Sequence, residues 1–241
     1  MELSYDLHIH SCLSPCGDDD ATPGSIAGMA ALIGLDVIAL TDHNTCRNCP
    51  TFLKAAEAYG VAALPGMELT TAEEIHVLYY FRTLEEALAF DRYVAQRLLP
   101  IRNRPKYFGN QILVNEEDEP CGTIDTLLIS ATDIGFDEAF RLAEEYHAVA
   151  MPAHIDKSST SLLSQLGMIP PESTFRLSEI TSMEKLEELK NTHPYLQNCT
   201  VFSSSDAHRL DALQEPVRTL QAAEKSGEAV FDMMWSIQYG K

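Results

Sequence analysis

Residues 1–10 read MELSYDLHIH, and this stretch decides the fold. Leu3, Tyr5, Leu7 and Ile9 alternate with Ser4, Asp6, His8 and His10, the period of two that marks a strand with unlike faces. His8 and His10 are two apart and point to one side; the same alternation places Asp6 with them. Outward from this strand, a loop rich in Pro, Gly and Asp (14–25) leads to a helix over 26–32, with Thr22 or Ser25 as its cap and Gly34 as its end. Short apolar runs at 36–40, 61–64 and 75–81 read as strands, and 52–59 and 84–99 as helices. Such alternation predicts an α/β architecture with parallel strands. Residues 100–135 break the pattern and read as a surface loop plus a hairpin around 116–120. The alternation then resumes, with helices at 136–146, 183–191 and 223–237 and strands at 148–153, 175–180 and 200–202. We therefore expect a single domain over 1–241 carrying an insertion at about 100–135.

Composition narrows the function. A chain of 241 residues that is 45% hydrophobic and 22% charged builds a folded core rather than a disordered or low-complexity segment. No stretch approaches the roughly 20 apolar residues of a membrane span, and the N-terminus carries no basic-then-apolar leader, so a cytoplasmic protein without a membrane partner is expected. Seventeen basic against 36 acidic side chains leave a net charge of −19. That field argues against long double-stranded nucleic acid as a partner, but not against a small phosphorylated substrate held by bound cations. Six cysteines in such a chain read as thiols.

The chemistry sits in the histidines. His8 and His10 lie on the first strand, Asp42-His43 just after the second, and Glu68 just after the third. His76 opens the fourth strand, His154 follows the strand at 148–153, and Asp206-Ala207-His208 follows the one at 200–202. Most therefore fall at strand C-terminal ends, the rim on which α/β barrels build sites from several loops. Neutral imidazole and carboxylate are ligands for Zn²⁺, Mn²⁺ or Fe²⁺, and six histidines with several acids exceed the needs of one ion. A carboxylate such as Glu68 can bridge two ions, and a pair of ions can clamp a phosphoryl group around a bridging hydroxide. His147 and His193 read as ordinary histidines outside this set.

Asp6-Leu-His8-Ile-His10-Ser11, Thr41-Asp42-His43, Gly66-Met-Glu68, Ala153-His154 and Asp206-Ala-His208 together resemble, in order and over 6–208, the motifs of the PHP (polymerase and histidinol phosphatase) family. The resemblance implies a distorted seven-stranded β/α barrel and a metal-dependent phosphoesterase. It implies one ion on His8, His10, Glu68 and Asp206, a second on Glu68, His76 and His154, and a third on His43, His208 and a ligand from the first loop. Cys16 fits that last place by spacing, and Asp18 competes with it. The implied cofactors are two or three divalent ions, Zn²⁺ ahead of Mn²⁺ or Fe²⁺. The implied substrate is a nucleotide, a phosphorylated metabolite or a short oligonucleotide. Asp206 would position an ion, and His208 or His43 would protonate the leaving oxygen. Lys157 and Arg209, beside His154 and His208, are candidate phosphate contacts.

Two further readings stay open. A related His-rich rim serves amidohydrolases, which usually add a metal-bridging lysine that no matching strand end supplies here. The chain could instead be a non-catalytic metal- or redox-linked module, since Cys46-x-x-Cys49 allows a Cys₄ site with Cys12 and Cys16, a redox pair, or plain packing thiols. The oligomeric state is not set by the sequence.

Overall fold

The computed structural model describes residues 1–240. In chain order the elements are β1 (Glu2–Ile9), α1 (Pro23–Ile33), β2 (Val37–Leu40), α2 (Cys49–Tyr59), β3 (Ala62–Thr70), β4 (His76–Phe81) and α3 (Leu84–Arg97). A one-turn α4 (Pro105–Phe108) and the hairpin β5 (Ile112–Val114) and β6 (Pro120–Thr123) follow. The chain continues through α5 (Phe136–Glu145), β7 (Ala148–Pro152), α6 (Leu162–Leu166), β8 (Leu177–Glu179), α7 (Leu186–Thr192), β9 (Thr200–Phe202), β10 (Thr219–Gln221) and α8 (Gly227–Tyr239).

The helix ends follow local chemistry. The Thr22 hydroxyl accepts from the Ser25 amide at the start of α1, and Gly34, at φ 86°, closes it in a left-handed conformation that other residues reach only at a cost. Thr83 and Glu86 form a reciprocal capping box on α3. The tip of the β5–β6 hairpin also reaches α1: Asp118 accepts from the Gly24 amide (2.9 Å) and the Thr22 hydroxyl (2.5 Å). Its charge therefore sits at the positive end of the helix.

Six strands form one curled sheet in the order β10-β1-β2-β3-β4-β7. The fold is α/β, but the sheet is mixed, which corrects the expectation of parallel strands. β1, β2 and β3 run parallel; β4 is antiparallel to β3 and to β7, and β10 to β1. The reason is connection length. Only residues 71–75 separate β3 from β4, too few for the crossover of a dozen or more residues that a parallel neighbour needs. β8 and β9 form a separate parallel pair. Backbone hydrogen bonds just past the strand ends help to join that pair to the sheet: the Ile155 amide to the Glu179 carbonyl (2.9 Å), and the His10 amide to the Ala207 carbonyl (2.8 Å). Among the described residues the sheet thus has six strands, and the expected seven-stranded barrel is represented by a half-barrel with this pair at its open side.

Two apolar layers flank the sheet. Ile38, Leu40, Met67, Leu69, Val77, Tyr79 and Phe81 pack outward under α1, α2, α3 and α5. Leu7, Val37, Ala39, Leu64, Leu78, Tyr80, Val149 and Met151 pack inward with α8. The register of β1 against β2 slips between Asp6 and Ile9. Tyr5 and Leu7 accordingly join the inner layer, whereas Ile9 joins the outer one. Bulges of this kind re-aim side chains beside active sites.

Candidate metal centre

The rim of the sheet gathers its histidines around one carboxylate. Glu68 lies inside β3, not past its end, and is fully buried. Its Oε1 is 2.8 Å from His76 Nδ1, 3.0 Å from His154 Nε2 and 3.3 Å from His8 Nε2; its Oε2 is 2.9 Å from His43 Nδ1 and 3.3 Å from His10 Nε2. Five imidazoles from four segments thus meet on a single side chain. His76 reaches this rim although it opens its strand, because β4 runs backwards: His76 pairs with Thr70 at the end of β3. His43 arrives through a parallel bridge with Glu68 itself.

Hydrogen bonding fixes the tautomers. His8 Nδ1 lies 2.9 Å from Glu179 Oε2. An ionised carboxylate only accepts, so that nitrogen carries a proton and His8 turns its Nε2 to the cluster as the atom that can ligate an ion. The Ser14 hydroxyl donates to Asp42 Oδ1 (2.7 Å), and its oxygen receives the His43 amide (3.1 Å) and His10 Nδ1 (2.9 Å). With its single proton committed to Asp42, Ser14 can only accept from His10, so His10 also turns its Nε2 to the cluster. Asp42 is buried and held by the Ser11 amide and hydroxyl as well.

These Nε2 atoms and the carboxylate oxygens converge on one point. Against the effect of burial, Glu179, Glu68 and Asp206 hold His8, and Asp206 and Glu68 hold His10, above the ordinary imidazole value, so protons bridge them until a divalent cation takes their place. His8 Nε2 is 3.1 Å from His10 Nε2 and 3.5 Å from Asp206 Oδ1, and His10 Nε2 is 3.3 Å from the same oxygen. Atoms bound about 2.0–2.1 Å from one tetrahedral ion are about 3.3–3.4 Å from each other. The donor set fits a divalent cation. The buried atoms His43 Nδ1 and Glu68 Oε2 also face each other without forming a hydrogen bond.

Four triads can each hold an ion: His8–His10–Asp206, His8–Glu68–His154, His43–Glu68–His76 and His10–His43–His208. Electrostatics matches this. Burial alone would raise the Glu68 carboxyl, but His76, His8 and His43 hold it well below the usual carboxylate range. Burial opposes ionisation of Asp206 too, yet His8 and His10 pull it down. Burial pushes His43 down to about 3, and burial together with His10 pushes His208 down to about 4, so both are neutral lone-pair donors at pH 7. His154 (φ 27°) and Asp206 (φ 52°) are both held in the left-handed region, the kind of strain that functional sites retain.

Several expectations are redistributed. Asp6, expected on the same face as His8 and His10, is in none of the triads; its Oδ1 accepts from the Ser205 amide (3.1 Å), bracing the loop that carries Asp206. Cys16 is exposed, its amide is bound to the Phe108 carbonyl (2.8 Å), and it belongs to none of the triads; His10 takes the place expected of it beside His43 and His208. Asp18 is exposed, and only its amide reaches the site, on the His208 carbonyl (3.0 Å). Lys157 lies 2.8 Å from Asp206 Oδ2, whereas Arg209 turns to a forked pair with Asp211. Cys46 and Cys49 are buried in the outer layer with both sulfurs toward the Gly66 carbonyl, and among the described residues no cysteine joins a candidate metal triad. His147 is exposed and His193 half-buried, both outside the cluster. Sequence reasoning missed Glu179, whose Oε2 receives His8 Nδ1 and the His154 amide (3.0 Å). Its one signal was an acid inside a short apolar strand.

A half-barrel whose His/Asp/Glu rim can hold metal ions defines a class of metal-dependent hydrolase folds. Within it, the PHP domain model matches residues 6–156, and the chain belongs to the PHP family. Over 79 residues it is 36% identical to the uncharacterized protein MJ1587 of Methanocaldococcus jannaschii, covering 30% of this chain and 46% of that one. The lesion-specific endonuclease PfuEndoQ of Pyrococcus furiosus superposes with a TM-score of 0.67 at 19% identity, over 99% of this chain and 56% of that one. An amidohydrolase from Chromobacterium violaceum with bound sulfate gives 0.62 at 15% identity, over 97% and 96% of the two chains. The chain thus spans about half the length of the archaeal proteins it matches. An Endonuclease Q structure with a 27-mer duplex carrying an abasic lesion at its active site also matches, at a TM-score of 0.66. This overturns the exclusion of long double-stranded nucleic acid: net charge, summed over the whole surface, does not decide what a metal-lined rim accepts.

Proposed function

We propose that this chain is a metal-dependent phosphoesterase whose buried rim binds two or three divalent ions, Zn²⁺ first and Mn²⁺ or Fe²⁺ as alternatives. The observation that carries the reading is the set of mutual distances of 3.1–3.5 Å among His8 Nε2, His10 Nε2, Glu68 and Asp206 Oδ1, with both Nδ1 atoms engaged by Glu179 and Ser14 so that each Nε2 faces the ion. These four would hold one ion; Glu68, His76 and His154 a second; and His43 and His208, with His10 beside them, a third. Such ions supply Lewis acidity and generate a nucleophile from water near neutral pH. Glu68 joins the sites and neutralises part of their charge. Glu179 and the Ser14–Asp42 pair keep His8 and His10 in the ligating tautomer. His43 and His208 serve as ligands, not as the acid for the leaving oxygen, because burial keeps them unprotonated. The Asp206 carboxylate helps to keep Lys157 protonated and holds its ammonium at the rim, where it binds a phosphoryl oxygen. The family and the fold support phosphoester chemistry, on substrates from nucleotides to polynucleotides.

The test is metal-loaded protein against phosphomonoesters and phosphodiesters, with bound metal quantified. Turnover that His8→Ala abolishes is expected. A fully loaded protein that cleaves no phosphoester overturns the reading, and amide or lactone turnover in its place would assign the rim to carbonyl chemistry.

A further inference from the structure

Residues 101–108, IRNRPKYF, stand out from an acidic chain. Arg102, Arg104 and Lys106 alternate within five residues, are exposed, and enter no ion pair or side-chain hydrogen bond among the described residues. Several cations elsewhere are answered, Arg82 by Glu228, Arg97 by Asp133, Lys185 by Asp156 and Lys225 by Asp36; what sets this strip apart is three unpaired charges in five residues. Within the strip Tyr107 is 66% exposed, with the Lys106 ammonium 5.7 Å from the centre of its ring. Ile101, Phe108 and Leu127 line a depression of about 420 Å³ whose other walls are Arg102, Asn103 and Arg104. An apolar floor edged by guanidinium groups suits a nucleobase with its phosphates alongside.

The segment is fastened to the metal rim. The Phe108 carbonyl receives the Cys16 amide (2.8 Å), and Asn103 holds the Gly109 carbonyl (3.0 Å). Two residues on, the Asp18 amide binds the carbonyl of His208 (3.0 Å); two residues back, Ser14 orients His10. The basic strip thus sits on the outer side of the loop whose inner side supports the cluster. Asn110, two residues past the strip, donates to Asp19 (2.7 Å) in that same loop.

We propose that residues 101–108 dock a single strand of nucleic acid and lead it to the metal rim. Arg102, Arg104 and Lys106 take backbone phosphates, and Tyr107 and the adjoining apolar depression take an unpaired base. A single strand is favoured over a duplex because the exposed ring and the depression need an open base face, which pairing and stacking hide. This deepens the phosphoesterase reading by naming its substrate class, and it rests on that reading only for the strand's hydrolysis, not for its binding.

The experiment is fluorescence anisotropy of a labelled 12-nucleotide single strand, titrated in EDTA at 50–200 mM salt. The wild type should bind the strand more tightly than the blunt duplex of the same sequence. The triple variant Arg102→Gln/Arg104→Gln/Lys106→Gln should bind at least 10-fold more weakly, and its salt slope should fall by about 2, the loss of roughly three phosphate contacts. Tyr107→Ala should weaken binding about 10-fold with the slope unchanged. All variants should hydrolyse p-nitrophenyl phosphate as the wild type does. Absence of strand binding, equal or tighter duplex binding, or variants that bind like the wild type each overturn the docking surface. Because binding is read in EDTA, strand binding without any phosphoester turnover sinks the phosphoesterase reading alone.

Discussion

Glu179 Oε2 lies 2.9 Å from His8 Nδ1, and this contact decides which nitrogen of His8 faces the metal rim. It joins β8 to β1, elements 171 residues apart in the chain. The same oxygen accepts the amide of His154, another candidate ligand. Removing such an outer carboxylate typically costs 10–100-fold in metal affinity or activity. Glu179→Gln keeps the shape but can offer its amide NH₂ to Nδ1, which pushes the proton to Nε2. We expect metal affinity to fall about 10–100-fold in competition with a chromogenic chelator. Unchanged affinity would show that His8 does not depend on Glu179.

The Ser14–Asp42 pair performs the same task for His10 and gives an independent prediction. Ser14→Ala leaves Asp42 with one partner fewer and His10 Nδ1 without its acceptor. A loss of about 1–3 kcal/mol in stability is expected from the unsatisfied buried groups, together with weaker metal binding. Urea unfolding in the presence of EDTA, followed by metal titration, separates the two effects. A variant as stable and as well loaded as the wild type would remove Ser14 from the account.

The depressed histidines predict a pH dependence for the protein in EDTA. His43 and His208 protonate near 6.5 when unfolded but only at about 3 and about 4 when folded. Above pH 6.5 both states are neutral and nothing is lost. As pH falls below 6.5 the unfolded chain takes up protons that the folded one refuses, so stability declines by about 1.4 kcal/mol per pH unit for each group until its folded value is reached. His8 and His10, held above the ordinary value, act in the opposite direction, so the check is a difference: between pH 7.5 and 4.5 the urea midpoint of the wild type should fall relative to that of His208→Gln. Parallel profiles would show that His208 does not remain neutral in the fold.

Gly66 tests the base of the site. A Cβ built there would lie 2.7 Å from the Tyr79 carbonyl oxygen and 3.0 Å from that of Leu40, backbone atoms of the strands on both sides. Neither can move without opening the sheet two residues from Glu68. Gly66→Ala should destabilise the protein by at least about 2 kcal/mol, in the range of overpacked cores, and lower its metal content. Calorimetry showing an unaltered melting temperature would contradict the packing described here.

The legible part of the site was the part that repeats along the chain. His-x-His on a strand, Asp-His after a strand, and Asp-x-His near the end are local patterns, and the side chains they offer come together at one rim. Three things were not legible. That Asp6 serves the Ser205 amide and joins none of the triads depends on a loop far along the chain, not on the composition of β1. The exposed position of Cys16 follows from its amide binding Phe108, a residue from the insertion. Glu179 acts through a contact across 171 residues that no spacing rule reaches.

The amino-acid order by itself determined the α/β alternation, the helix starts at Thr22 and Thr83, and the inventory of imidazoles and carboxylates, because propensity, capping and side-chain chemistry act within a few residues. Only the tertiary structure decided which nitrogen each imidazole presents, that β4 runs backwards to bring His76 to the rim, and that a basic strip is seated behind the ligand loop. Those depend on hydrogen bonds and sheet register between distant segments, whose free energy exists only once the chain has closed upon itself.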